Sequence, residues 1–309
     1  MRNHNLVAVL DGMYAVAPDA EVQMVPYGGL TAILTTAPQP VIRLPQSRRD
    51  VLLEAASRLR MQEACLPLAT LLPAQANCPL SPDDAVRFLQ ANQPQLTRLM
   101  RQFAGQVQMQ ISVSWDEAGV LTRFRNTAEL APLFAQSNAT PQMLTQAVSR
   151  LASRLSLEIS QILAPVSTDI AALPLAPSVL WNGAILVPPS QLAALCVAVE
   201  TVDAIWSEGL HIRQIGPAPI ASFVSLELEH ISAHKAKGAL DRFGPSGIVG
   251  RRAGLFAAKD NITLREAVRH DTRIAEAAAR LTGLGAGFFL ARIRSEGASA
   301  SAMPQQEVA

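Results

Sequence analysis

The chain is poor in aromatic residues, with 3 Trp, 2 Tyr and 9 Phe in 309 positions. A protein that stacks bases on a sheet needs more rings than this where the bases lie. One sign of charge does not dominate either. The net charge is +1, so no field of the whole molecule steers it to nucleic acid or to an anionic membrane. Cysteine is scarce and odd in number: Cys65, Cys78 and Cys196 form no C-x-x-C pair. That excludes a disulfide framework and predicts three small buried or semi-buried thiols in a reducing cytoplasm. No run of 18 apolar residues exists, and the longest candidate, LAALCVAVETVDAIW, carries Glu200 and Asp203, so no membrane span is expected. The opening MRNHNLVAVLDG has too short an apolar run for a secretory leader. G-x-S-x-G, H-E-x-x-H and the P-loop are all missing, so neither an enzyme nor a cofactor is expected.

Apolar residues are plentiful. They make up 49% of the chain, mostly as Ala, Leu and Val, and the mean hydropathy is +0.20. Such a chain has a well-filled core or a surface that meets something apolar. Charge is unevenly spread. Residues 233–294 hold 12 Lys+Arg and 5 Asp+Glu, net +7, whereas 126–232 hold 3 and 8, net −5.

Three strands are predicted first, LVAVLD, EVQMV and GLTAILTT, with Gly28-Gly29 as the turn between the last two. In SRRDVLLEAASRLRMQEA, Val51, Leu52, Ala55, Ala56 and Leu59 share one face, as in an amphipathic helix. CLPLATLLP predicts a buried strand. Ser81-Pro82-Asp83-Asp84 then opens a helix that Pro94 should kink or split and Gly105 should end. QVQMQISVSW alternates cleanly, with Val107, Met109, Ile111, Val113 and Trp115 inward and Gln108, Gln110 and Ser112 outward. Asp116 to Gly119 reads as its turn. A helix from Thr140 carries the stripe Leu144, Ala147, Val148, Leu151, Leu155, Ile159 and Ile162. A hairpin over 169–188, a helix over 189–209 and the strand LHIRQI follow. In that helix Leu192, Leu195, Cys196, Val199, Val202 and Trp206 form the stripe.

The order β-α-β-β-α-β over 106–216 is that of a ferredoxin-like sheet with two helices on one face. The expected fold is therefore α+β. It comprises an N-terminal α+β domain (1–104), a modified ferredoxin-like domain (105–232), a basic helical C-terminal region of short helices (233–294) and a low-complexity, disordered tail (295–309). Gly216, Pro217 and Pro219 read as the stop of the last strand, after which SFVSLELEH resumes.

The stretch Gly216-Pro217-Ala218-Pro219-Ile220-Ala221-Ser222-Phe223 resembles a GPWPPYSF-like signature, keeping Gly216, Pro217, Pro219, Ser222 and Phe223 but not its aromatic positions. Ile111 to Glu117 (ISVSWDE) resembles a VKVSWDE-like run, and Asn182 to Val187 (NGAILV) an NAAFLV-like strand. Leu66 to Thr70 matches an LPMRFG-like strand weakly. Together, and in this order over about residues 5–230, these motifs resemble the gas vesicle protein GvpF/GvpL family. The resemblance implies two α+β domains and a non-enzymatic accessory protein of gas vesicle formation. It implies a place at the gas vesicle within the cytoplasm, and contacts with the small hydrophobic shell protein and with other accessory proteins.

Arg265, Arg269 and Arg273 recur at i+4 and line one helix face, either as a partner-docking stripe or as a solvated face diluted by Glu266, Asp271 and Glu276. Arg251, Arg252 and Lys259 add to this basic end. His230 and His234 are spaced as metal ligands on a helix but lack a third ligand, and a solvated pair near a helix start explains them better. The acids at 83–84 and 116–117 are explained by a helix first turn and a hairpin turn, and the 283–287 glycines by a helix stop. The alternative function is a nucleic-acid-binding or regulatory module using the sheet and the basic helices. The outward Gln and Ser of 106–115 count against it.

Overall fold

The computed structural model describes residues 4–17, 20–36, 47–136, 140–176, 178–205, 210–244 and 262–295. The Pro-rich stretch before residue 46, Trp206, the expected helix over 248–260 with Arg251, Arg252 and Lys259, and the tail beyond 295 lie outside them. The fold is α+β with antiparallel sheets. The chain divides into two compact units, one built from residues 1–104 and 224–294, the other from Gly105–Phe223.

The second unit holds the ferredoxin-like order. Strands β6 (Val107–Trp115), β7 (Asp169–Ala172), β8 (Val179–Val187) and β9 (Leu210–Ala218) form one sheet in the order β7-β8-β6-β9, every pair antiparallel. Two further helices belong to this unit, α5 (Pro141–Leu163) and α6 (Leu192–Ile205). Thr140 Oγ1 accepts from the Met143 N–H at the start of α5, as its cap position predicts. The buried residues Ala147, Leu151, Leu155, Ile159 and Leu163 then recur every fourth position and meet Met109, Ile111, Val113 and Trp115.

Two short helices, α3 (Glu117–Arg123) and α4 (Ala131–Phe134), stand where the sequence predicts a hairpin turn. Asp116 does not turn the chain. Its Oδ2 accepts from the Gly119 N–H and so caps α3. Leu121, Phe124, Leu130 and Leu133 of this insertion join the core beneath the sheet.

Trp181 anchors the same core. It lies inward on β8, and its Nε1–H donates to Ser160 Oγ on α5 at 2.9 Å. A Cβ on Gly183 would come within 2.5 Å of the Trp181 ring. The strand must therefore carry glycine there for the indole to lie flat along it.

The expected strand stop at GPAP is not a stop. Strand β9 continues to Ala218, and its register slips between Gln108↔Ala218 and Gln110↔Ile215. Gly216 and Pro217 together oppose Met109, which is a β-bulge. The Gly216–Pro217 peptide is cis. Gly216 has φ +129°, and a Cβ there would lie 2.8 Å from the Gln108 carbonyl oxygen. Gly216→Val is expected to lower stability by about 1–3 kcal/mol through backbone strain, read as a shift of the urea midpoint at unchanged slope.

In the first unit, β2 (Val22–Tyr27), β3 (Leu30–Thr35), β1 (His4–Asp11) and β4 (Leu71–Pro73) make an antiparallel sheet in that order, and β5 (Pro79–Leu80) also pairs with β1. Gly28-Gly29 forms the β2–β3 turn as expected. The stretch read as one buried strand instead ends helix α1 (Arg48–Cys65), turns, and becomes β4. Helix α2 (Pro82–Gln102) runs through Pro94 unbroken.

The end of the chain differs most from the sequence reading. Residues 225–232 do not join the ferredoxin-like sheet. They form β10 (Ser225–Ser232), which pairs over its whole length with β11 (Gly287–Arg294), a strand where only helices and their stop were expected. Helices α7 (Ala233–Phe243) and α8 (Ile262–Ala279) complete this part, with Ile231, Phe288, Leu290, Ala236, Ile274 and Ala278 packed against Ala91 of α2. The α2 residue Asn92 ties it down. Asn92 is 2% exposed, donates through Nδ2 to the Phe88 and Phe289 carbonyls, and accepts from the Ala291 N–H.

Candidate docking surface

Helix α1 begins with a capping box, in which Ser47 Oγ accepts from the Asp50 N–H and Asp50 Oδ2 accepts from the Ser47 N–H. The apolar face the sequence shows is left exposed. Arg58 and Gln62 are turned inward, 9% and 5% exposed, whereas Val51, Leu52 and Leu59 are 51%, 62% and 44% exposed. Ala55 and Ala56 are exposed beside them.

Arg58 and Gln62 reach β1. Its register against β3 slips between Leu6 and Ala8. At this slip, the Leu6 carbonyl accepts from Arg58 Nη1 and the Val7 carbonyl from Gln62 Nε2, each at 2.8 Å. Buried backbone carbonyls require donors, and Arg58 supplies one to Leu6, whereas the Val7 carbonyl also accepts from the Ala74 N–H at 2.9 Å. Only the second half of the helix is covered, through Arg58, Met61, Gln62 and Cys65, whereas residues 48–53 are exposed on every side, so Val51 and Leu52 stay outside. Each of these side chains forgoes part of the roughly 1.5–3 kcal/mol that full burial gives.

The exposure continues past the end of α1. Leu68, and Met13 and Val16 in the loop after β1, are also exposed, and Tyr14 Oη donates to the Leu68 carbonyl at 2.9 Å, joining the two segments. Periodicity found the α1 stripe but assigned it to the core.

The residues singled out in the sequence are dispersed. Gly216 and Pro217 form the exposed bulge, while Pro219, Ser222 and Phe223 are buried in the turn that closes the second unit. There the Ser222 N–H donates to Gln108 Oε1 at 2.9 Å, so Gln108 is buried and not an outward residue facing water. On α8, Arg269 is exposed and Arg265 half-buried. Arg273 has internal partners: its Nη2 donates to Gln95 Oε1 and to the Ala291 carbonyl. His230 lies in β10, edge-on to Phe289, and His234 in α7, so the helical spacing of the pair is not realised. Of the thiols, Cys65 and Cys78 are buried, and burial pushes the Cys78 thiol up, whereas Cys196 is exposed on α6 and not in its inward stripe.

Acidic and basic stretches of the chain meet in the C-terminal hairpin. Arg294 pairs with Glu227, and Glu229 receives Arg292 Nε at 3.0 Å, His270 Nε2 at 3.1 Å and Lys235 Nζ at 3.4 Å. Burial by itself would push Glu229 up, but the His270, Arg292 and Lys235 charges outweigh it and hold the carboxyl below its ordinary 4.5. A carboxyl held low in the folded state adds stability above the unfolded pKa and loses it as the pH falls through the folded value. Acid titration of stability is therefore expected to show a fall below pH 4.5 that Glu229→Gln makes shallower.

Among the described residues, no group of three or more His, Cys, Asp or Glu is placed to hold a metal ion, and no helix is long and apolar enough to cross a membrane. No curated protein matches the chain. Two crystal structures share its fold. GvpF from Anabaena sp. PCC7120 aligns with TM-score 0.56 at 19% identity, over 71% of this chain and 97% of its own. GvpF from Microcystis aeruginosa aligns with TM-score 0.53 at 16% identity, over 71% and 98%. The sequence model of the gas vesicle synthesis protein GvpL/GvpF family matches residues 7–225, so this chain belongs to that family.

Proposed function

We propose that the chain is an accessory protein of gas vesicle assembly that holds the hydrophobic shell subunit, without turnover, on the outward face of α1. It acts in the cytoplasm, where it also meets other accessory proteins of the vesicle. The observation that supports this is the exposed stripe Val51, Leu52, Leu59. A partner whose own surface is apolar covers such a face at little desolvation cost, by helix-in-groove or face-to-face packing.

Co-expression with the shell protein followed by affinity purification of this chain tests it. The wild type is expected to retain the shell protein, and Leu52→Glu/Leu59→Glu to lose at least tenfold of it at unchanged Tm. Arg265→Glu/Arg269→Glu tests the basic helix face as a second contact. Full retention by the α1 variant would remove α1 as the docking face. Failure of the wild type to retain the shell protein would remove the proposed partner.

A further inference from the structure

A cavity of about 380 Å³ opens between α2 and α8, within the first unit. Three guanidinium groups line it, Arg98, Arg273 and Arg280, against one carboxylate, Glu276. Its apolar lining includes Ala91, Ala277 and Leu290. Arg273 is fixed by Gln95 and by the Ala291 carbonyl, and Arg280 Nη1 donates to the Ala91 carbonyl at 3.3 Å. Arg98 is exposed and has no hydrogen-bond or ion-pair partner among the described residues.

Positive charge is in excess here. Desolvation, with Arg98 and Arg292 nearby, lowers the Arg273 guanidinium from its ordinary value despite Glu229 and Glu276. A dianion would balance the three guanidiniums, and the fork of Arg98 matches two phosphate oxygens at once, while Arg273, whose Nη2 is committed to Gln95 and Ala291, offers Nη1. The volume lies in the range of small-molecule sites, which combine an apolar wall with a few polar anchors.

We propose that this cavity binds an organic phosphate of nucleoside-monophosphate size, its phosphate on Arg98 and Arg273 and its body against the exposed Pro94, above the buried floor of Ala91, Ala277 and Leu290. The site shares no residue with α1, so it stands or falls apart from the docking face.

Calorimetric titration of the full chain at constant ionic strength with AMP, inorganic phosphate and adenosine tests it. AMP is expected to bind at least tenfold more tightly than phosphate, with adenosine silent. Arg98→Glu, at an exposed position, is expected to weaken AMP at least tenfold at unchanged Tm. No heat with AMP, equal binding of phosphate or adenosine, or full binding by Arg98→Glu would each overturn the assignment.

Discussion

Trp181→Ala is expected to cost the second unit about 3–5 kcal/mol, the range for removing a large buried aromatic. Most of that is lost packing. The indole sits among Ile159, Leu155 and the inward residues of β6, and nothing nearby can collapse into the space because Gly183 has no side chain to offer. The hydrogen bond to Ser160 is the smaller part. Ser160→Ala, which removes only the acceptor, is expected to cost about 1 kcal/mol. Urea unfolding followed by tryptophan fluorescence and far-ultraviolet circular dichroism compares the two. Equal losses for both variants would show that the bond, not the packing, holds the ring. Gly183→Val should approach the cost of the tryptophan deletion, since its side chain takes the space the ring occupies.

Asn92→Leu is the matching change in the first unit. Leucine has nearly the same volume, so the expected loss comes from hydrogen bonding. The Ala291 N–H and the Phe289 carbonyl would both lose their partner in a buried place, at about 1–3 kcal/mol each. Amide exchange at Ala291 is the sensitive readout. It should accelerate well beyond what the global loss explains, because the β11 edge facing α2 opens locally. Exchange at Ala291 that merely follows global stability would mean that Asn92 does not hold the strand.

Much of the second unit was legible in the sequence. The inward residues of 107–115, the stripe Ala147, Leu151, Leu155 and Ile159 and the cap at Thr140 each report purely local geometry, and the structure repeats them, as it does the Ser81 cap in the first unit. What failed was long-range. GFFLARIR has the aromatic and β-branched character of a strand, but its partner SLELEHIS lies some sixty residues earlier, beyond any local pattern. Gly216 and Pro217 signal a break in a ladder, and sequence cannot separate a bulge from an end, because both ask for a missing donor and an unusual φ. The α1 face was identified residue by residue but not its exposure: periodicity measures which side is apolar, not how much of the helix the rest of the fold covers, and only the stretch from Arg58 to Cys65 is packed inward.

Pro219, Ser222 and Phe223 form a buried turn locked by Gln108, and this turn is where the chain leaves the second unit. The charge imbalance between the middle and the end of the chain is also partly internal, since Glu227 and Glu229 are matched by Arg294, Arg292 and Lys235.

Asn92 and Ala291 are 199 positions apart along the chain, with an entire second unit between them. A ribosome adding about 5–20 residues per second needs on the order of ten to forty seconds to travel that far. For that interval Ala91 and Asn92 lack the β11 strand that covers them in the finished fold. The newborn protein is thus most vulnerable to chaperones, proteases and premature sticking in the pause before its last strand arrives, and a stop codon anywhere before β11 would make that pause permanent.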